Sequence, residues 1–148
     1  MNRRMEESLT HGGYSGNPLE KKLGLKDGQN IGFYEVPQWF SSWITQLPIR
    51  LRFTPNTPED LYDYQHVFVH EAIDIEPLIQ LARGSMKQNG MIWVSWPKKS
   101  SKVRSDVSEG LIRQIALANA LVDVKVCSIN EIYSGLKLVI RIKDRKPK

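Results

Sequence analysis

Residues 84–104 read GSMKQNGMIWVSWPKKSSKVR, and the prediction of the fold starts from this stretch. Its apolar run from Met91 to Trp96 has the length and composition of a buried strand. A loop with the cations Lys98, Lys99, Lys102 and Arg104 follows at Pro97. Because α/β proteins usually keep their sites beyond the carboxyl ends of such strands, the stretch predicts both the fold class and the place of a site.

The size and composition of the chain predict one globular domain. Its 148 residues are 41% apolar and 25% charged, which suits a single core. We expect a flexible leader at residues 1–14, the domain at residues 15–143 and a basic tail at residues 144–148. We also expect a cytoplasmic protein without membrane contact, because the leader has no signal-peptide core, no apolar stretch spans a bilayer and Cys127 is the only cysteine.

The charge of the chain favours acidic partners. The formal net charge is +5 and the sequence pI is about 9.4. Phosphate groups and nucleic acid are the partners that such a charge favours. Part of the excess lies in the basic residues between Arg141 and Lys148, and a basic terminus is often only solvated.

Strand and helix patterns alternate along the chain. Apolar runs predict six strands, at residues 31–36, 49–53, 66–70, 91–96, 122–129 and 135–142. Helical spacing and capping residues predict helices at residues 17–25, 38–47, 74–86 and 106–120. Only a short loop at residues 130–134 joins the last two strands.

This order predicts the topology. Alternation calls for parallel strands with helices on both faces, and the short last loop makes the final strand antiparallel. We therefore expect an α/β fold, a three-layer mixed sheet of about six strands, mostly parallel, that closes with a C-terminal antiparallel β-hairpin. The final strand is expected beside the strand at residues 91–96.

The organisation resembles the Rossmann-like core of S-adenosylmethionine-dependent methyltransferases, whose sheet also closes with an antiparallel hairpin. Residues 86–95, MKQNGMIWVS, look like the Leu-Lys-Pro-Gly-Gly run that leads into a late strand of that family. The chain departs from the family at residues 34–39, YEVPQW, which lack the glycine loop that approaches the cofactor. No acidic residue that would hold a ribose follows Phe53. No cofactor is therefore predicted, and S-adenosylmethionine is kept as an alternative.

A second resemblance covers nearly the whole chain. The sequence blocks SGNPL (residues 15–19), KLG (22–24), WVSWPKK (93–99), LVDVKVC (121–127) and YSGLK (133–137) resemble a small bacterial family catalogued as domain of unknown function 3052. The tryptophan-proline-lysine-lysine block is specific. The resemblance implies no particular chemistry, because that family is itself uncharacterised.

The predicted site lies at the strand ends. The candidate ligand-binding residues are Glu35, His70, Ser95, Trp96, Pro97, Lys98, Lys99 and Lys137. Trp96 and Pro97 would form a flat apolar wall, and Lys98 and Lys99 would bind a phosphate or carboxylate. The alternative is that the tryptophans are core residues and the lysines a solvated turn. Lys137 either turns toward the basic loop or lies on a solvated sheet face.

Catalytic and metal sites are not predicted. His70 and Glu71 are adjacent on a strand and would face opposite ways, so they do not form a base with its orienting carboxylate. Three scattered histidines and one cysteine have no metal-ligand spacing. Cys127 is expected to be buried and inert within its apolar strand.

The sequence thus favours a Rossmann-like module with little or no catalytic activity. It would bind a small anionic or nucleotide-like ligand, or a protein partner, at the end of the strand that carries Trp96 and Lys99. A divergent S-adenosylmethionine-dependent methyltransferase and a nucleic-acid-binding protein are the alternatives. The pattern does not determine the oligomeric state.

Overall fold

A computed structural model describes residues 17–147. Helices and strands alternate along this part of the chain until the last two strands, which follow each other directly. The strands are β1 (Ile31–Tyr34), β2 (Tyr62–Phe68), β3 (Met86–Pro97), β4 (Val122–Ser128) and β5 (Tyr133–Val139). The α-helices are α1 (Leu19–Leu23), α2 (Gln38–Thr45), α3 (Ile75–Gly84) and α4 (Glu109–Ala118), with 3₁₀ turns at Ala72–Asp74 and Ile142–Asp144. The leader predicted at residues 1–14 lies outside the described residues.

The described strands form one mixed sheet in the order β1-β2-β3-β5-β4. β1, β2 and β3 are parallel, and β5 lies antiparallel between β3 and β4. β3 is the central strand and contains the apolar run at residues 91–96. The α/β class and the mixed sheet predicted from the sequence are confirmed, with five strands in the described part instead of about six.

Helices cover both faces of the sheet, so the fold has three layers. On one face, Ile79 of α3 and Ile112 of α4 share a buried cluster with Val94 of β3. On the other face, Leu23 of α1 and Phe40 of α2 share a buried cluster with Trp93. Neighbouring residues of β3 therefore face opposite layers, as expected for a strand buried on both sides.

The chain reverses its direction across the sheet after β1. After α2 the chain runs to Arg52, which forms an isolated parallel bridge with Asn30, next to β1. This bridge lies on the edge of β1 that faces away from β2. The chain then returns to enter β2 on the other side of β1. The space between the carboxyl ends of β1 and β2 is therefore a switch point, where α/β sheets commonly bind ligands.

Residues 49–53 do not form the second strand that their alternating pattern predicts. Arg50 N donates to Asp27 Oδ1, and Leu51 N donates to Ile49 O, so these donors are not available to a strand ladder. The segment is also flanked by prolines at positions 48 and 55, which have no N–H to donate. The prediction of a strand here was wrong, and the pairing is limited to the bridge at Arg52.

The residues after the sheet pack back on it. Arg145 Nε donates to Ile140 O, and Lys146 N donates to Gln88 Oε1 of β3, so part of the predicted basic tail is held by hydrogen bonds. Within residues 17–147, no helix has the length and apolar character needed to cross a bilayer.

Candidate ligand grooves at the carboxyl edge of the sheet

An open groove lies at the switch point and has a volume of about 440 Å³. Its lining comes from the loop after β1, the end of β2 and the start of α3, and consists of Glu35, Phe68, Val69, His70, Glu71, Asp74, Pro77 and Leu78. The three carboxylates make this switch-point groove better suited to a cationic or hydroxyl-bearing ligand than to an anion. Within residues 17–147, no three or more His, Cys, Asp or Glu side chains are grouped so that they could hold a metal ion.

Glu35 lines the groove from a strained backbone position. Its φ angle is 57°, in the left-handed region that glycine adopts freely. For other residues this region costs about 1–2 kcal/mol, and such strain is concentrated at functional sites. The loop after β1 therefore adopts the left-handed backbone conformation that is typical of glycine, although it contains no glycine. The residue in this conformation carries a carboxylate.

His70 and Tyr133 join the ends of β2 and β5. His70 Nε2 lies 2.7 Å from Tyr133 Oη. The Tyr133 ring packs against Phe68 and Trp39, with centroid distances of 5.1 and 5.9 Å. Tyr133 and Trp39 lie with the cluster under α2, and Phe68 of the same cluster also lines the switch-point groove. Burial raises the pKa of Tyr133, so its hydroxyl stays protonated. According to the tautomer of His70, this hydroxyl donates to Nε2 or accepts from its N–H.

A second groove, with a volume of about 640 Å³, follows β3 in the basic loop. Its lining includes Pro97, Lys98 and Lys99 together with residues 103–108, among them a further cation, Arg104. Lys98 is held by the neighbouring hairpin, because its Nζ donates to Ser128 Oγ at 2.7 Å. Lys99 is exposed. Three of the predicted site residues thus come together in this basic groove.

Hydrogen bonds join the walls of the two grooves. Ser105 Oγ donates to His70 O at 2.8 Å, and Ala72 N donates to Asp106 Oδ1 at 2.7 Å. The loop after β3 is thereby fixed to the exit of β2. The switch-point groove and the basic groove therefore lie side by side on one edge of the sheet, with a cation-lined cavity next to an acidic one.

Ser95 is buried inside the fold instead of at a site surface. Its Oγ lies 2.7 Å from His66 Nε2, and His66 Nδ1 lies 2.7 Å from Tyr64 Oη. All three residues are fully buried. Burial lowers the pKa of His66 to about 3, so the imidazole is neutral and the three side chains form an internal polar network.

Trp96 does not form the apolar wall expected from the sequence. It is 7% exposed and belongs to the core cluster under α3 and α4, because β3 is covered on both faces. Pro97, the next residue, does line the basic groove. The reading of the tryptophan as a core residue fits this position.

Lys137 lies on the sheet face bordered by α1. Its Cα pairs with Trp93 on β3 and with Lys125 on β4. Burial, and then the positive charges of Lys125 and Lys26, lower the pKa of Lys137. The structure thus places Lys137 among other lysines, and it is not part of the lining of the basic groove.

Sequence reasoning missed Tyr133 and Asp74 as residues of this edge. Tyr133 is the first residue of a strand antiparallel to β3, so it starts at the edge where β3 ends. The predicted topology contained this signal, although the strand was expected to begin at Gly135. Asp74 lies between β2 and α3, where a connection at the carboxyl edge was already expected.

The sequence matches no described family. No protein-family model matches the chain, and no curated protein matches it. Its resemblance to the domain of unknown function 3052 family therefore stays a prediction.

The fold is similar to those of several solved methyltransferases. A provisionally assigned methyltransferase from Thermoplasma acidophilum aligns at a TM-score of 0.54 and 10% identity, over 80% of this chain and 71% of that one. Magnesium protoporphyrin IX methyltransferase from Synechocystis, with bound S-adenosylhomocysteine, aligns at 0.51 and 10% identity, over 77% and 74% of the two chains. Fibrillarin from Aeropyrum pernix, in complex with S-adenosylmethionine, aligns at 0.50 and 13% identity, over 82% and 73%. The TM-scores show a Rossmann-like fold similar to that of these methyltransferases, and identities this low show nothing beyond the fold.

Proposed function

We propose that the protein binds S-adenosylmethionine in the switch-point groove and acts as a small, divergent methyltransferase. The observation that carries this proposal is the groove between the ends of β1 and β2, with its carboxylates Glu35, Glu71 and Asp74. Two proteins of similar fold contain S-adenosylmethionine or its demethylated product, which supports the same reading.

The charge of the groove fits this cofactor. S-adenosylmethionine carries a sulfonium, an ammonium and a carboxylate group, so its net charge is positive, and its ribose hydroxyls donate hydrogen bonds. Carboxylates are strong acceptors for such groups, whereas an anionic ligand would meet three like charges at Glu35, Glu71 and Asp74. When bound, the cofactor supplies an electrophilic methyl group.

His70 is the groove residue best placed to take a proton from a methyl acceptor. It lines the groove, and its Nε2 lies 2.7 Å from Tyr133 Oη. Histidine is the most frequent general base in enzymes. In the tautomer whose Nε2–H donates to Tyr133 Oη, this hydrogen bond fixes the orientation of the ring and leaves Nδ1 free to take the proton. The aromatic rings of Trp39 and Phe68 pack against each other on the α2 side of the same edge.

Titration calorimetry of the full chain with S-adenosylmethionine and S-adenosylhomocysteine tests the proposal. We expect heat of binding, and Glu35→Gln combined with Asp74→Asn should weaken affinity at least about tenfold, a loss of about 1.4 kcal/mol. Glu59→Gln combined with Glu131→Gln removes the same charge from exposed positions outside both grooves and should bind as the native chain does. No heat at millimolar cofactor would overturn the proposal.

A second candidate function follows from the basic groove. Lys98, Lys99 and Arg104 beside a cavity of about 640 Å³ favour a small anionic or nucleotide-like ligand, as the sequence suggested. Adenosine monophosphate is a suitable probe. Thermal stabilisation by this probe should disappear in the Lys98→Ala/Lys99→Ala variant and persist in Lys143→Ala/Lys146→Ala, which alters the C-terminal segment. An unchanged response in the first variant would exclude this site. A cytoplasmic location is proposed for either function.

A further inference from the structure

A cluster of lysines lies where α1 meets the closing strands of the sheet. This lysine face consists of Lys22, Lys26, Lys125 and Lys137. Lys137 and Lys125 are paired across β5 and β4 and so project from the same face of the sheet. Lys125 Nζ also donates to Lys22 O at 2.9 Å, which fixes it beside the end of α1. None of these side chains belongs to the lining of the two grooves.

Within residues 17–147, none of the ion pairs involves a lysine of this face. They lie elsewhere and involve Arg52, Lys87, Arg113 and Arg141. The charges that act on Lys137 are those of Lys125 and Lys26, and after burial they lower its pKa. A bound anion would offset these repulsions between lysines, so its binding here would be favourable.

The positive field continues from this face to the carboxyl edge. The charges of Lys125, Lys22 and Lys98 all act on Cys127, whose pKa is nevertheless raised by burial. Lys98 Nζ is anchored at Ser128 Oγ, three residues along β4 from Lys125. Three residues of a strand span about 10 Å. The cations thus extend from the end of α1 along β4 toward the carboxyl edge instead of converging on one point.

We propose that the lysine face binds the phosphodiester backbone of single-stranded nucleic acid. Cations spread along a surface match the repeated phosphates of an extended strand better than one small anion, which needs convergent donors in a cavity. The net charge of +5 supports the approach of such a polyanion. This proposal does not depend on cofactor binding in the switch-point groove, since the two surfaces share no residue.

Fluorescence anisotropy with a labelled uridylate of about 20 nucleotides tests the proposal, with salt varied from about 50 to about 200 mM. We expect affinity to fall steeply with salt. Each lost phosphate contact reduces the log–log slope by about 0.7, so Lys125→Gln/Lys137→Gln should reduce it by about 1.4. Lys143→Gln/Lys146→Gln removes equal charge from exposed positions outside the lysine face and should leave the slope unchanged.

Two results would overturn the proposal. Equal losses in both double variants would mean that only the overall charge matters. Saturable binding of inorganic phosphate that needs Lys125 and Lys137, without binding of the uridylate, would identify a small-anion site instead. The circular dichroism spectrum and Tm of each variant establish that it is folded. In the Lys125→Gln/Lys137→Gln variant, relief of a like-charge repulsion offsets the loss of the hydrogen bond from Lys125 Nζ to Lys22 O, so we expect little change in Tm.

Discussion

His70 Nε2 lies 2.7 Å from Tyr133 Oη, and this contact links two strands that are not neighbours in the sheet. His70 follows β2 and Tyr133 begins β5, with β3 between them. The pair therefore connects the parallel half of the sheet to its antiparallel end at the edge where both grooves open. Lys98 N donates to Ile132 O, and Ile132 directly precedes Tyr133. The pair therefore also fixes one wall of the switch-point groove relative to the loop that carries Lys98.

The hydrogen bond between His70 and Tyr133 should be measurable as a coupling energy. In a double-mutant cycle of Tyr133→Phe, His70→Leu and the combined variant, we expect the free energies of unfolding to show a coupling of about 0.5–1.5 kcal/mol. Urea unfolding of the four proteins provides the measurement. Strictly additive effects of the two substitutions would show that the contact does not stabilise this edge.

The main layers of the fold could be predicted because they rest on strong local patterns. The continuous apolar run at residues 91–96 is typical of a central strand, and the short loop before Tyr133 requires an antiparallel return. The alternation at residues 49–53 was misleading, because a single side chain, Asp27, takes the backbone donor of Arg50. A periodic pattern does not reveal that a side chain far away in the sequence accepts a hydrogen bond from a backbone N–H of the segment.

The candidate site was only partly predictable. Residue order predicts which side chains follow a strand, and this placed Glu35, His70 and Lys98 at one edge. It does not predict which polar side chain finds a buried partner: Ser95 reaches His66 from 29 residues away in the chain. The left-handed backbone conformation of Glu35 could also not be predicted from the sequence, because the usual signal for that conformation is a glycine.

Replacing Glu35 by glycine should separate stability from binding. The substitution relieves the left-handed strain but adds backbone freedom to the unfolded chain, so we expect a gain of about 0.5–1 kcal/mol in the free energy of unfolding. If the carboxylate contacts S-adenosylmethionine, calorimetry should show weaker binding in the same variant.

A matched control exists at the end of α4, where Ala120 has a φ angle of 63°. Ala120→Gly should stabilise the protein by a similar amount without changing the affinity for the cofactor. Equal affinities of the two glycine variants would exclude a role for Glu35 in binding. A loss of stability in both would mean that neither position is strained.

Ser95→Ala should destabilise the fold through the buried network. The substitution leaves His66 Nε2 without its partner at 2.7 Å, in a position with no exposure to water. An unpaired buried polar group costs about 1–3 kcal/mol, and we expect a loss of that size in urea unfolding. Ser100→Ala, in the exposed loop after β3, should change the stability by less than about 0.5 kcal/mol. Comparable losses at the two positions would argue against a special role of the network.

The buried imidazole of His66 should make the stability depend on pH. Burial lowers its pKa to about 3 in the folded protein, whereas the unfolded chain has a value of about 6.5. Between these two values the unfolded chain takes up a proton that the folded protein does not. The stabilising contribution is therefore complete above about pH 6.5 and decreases toward pH 3, by up to about 1.4 kcal/mol per pH unit.

Urea unfolding between about pH 4 and pH 8 measures this slope, and comparison with His66→Gln isolates the contribution of the one residue, because other groups titrate in both proteins. Near pH 5, the slopes of the free energy of unfolding against pH should differ between the two proteins by an amount that corresponds to nearly one proton. His70→Gln, which alters the partly exposed histidine at the groove, should retain the His66 contribution. Identical slopes in the native chain and His66→Gln would mean that His66 is protonated in the folded state, and that Tyr64 and Ser95 then both act as acceptors for its two ring N–H groups.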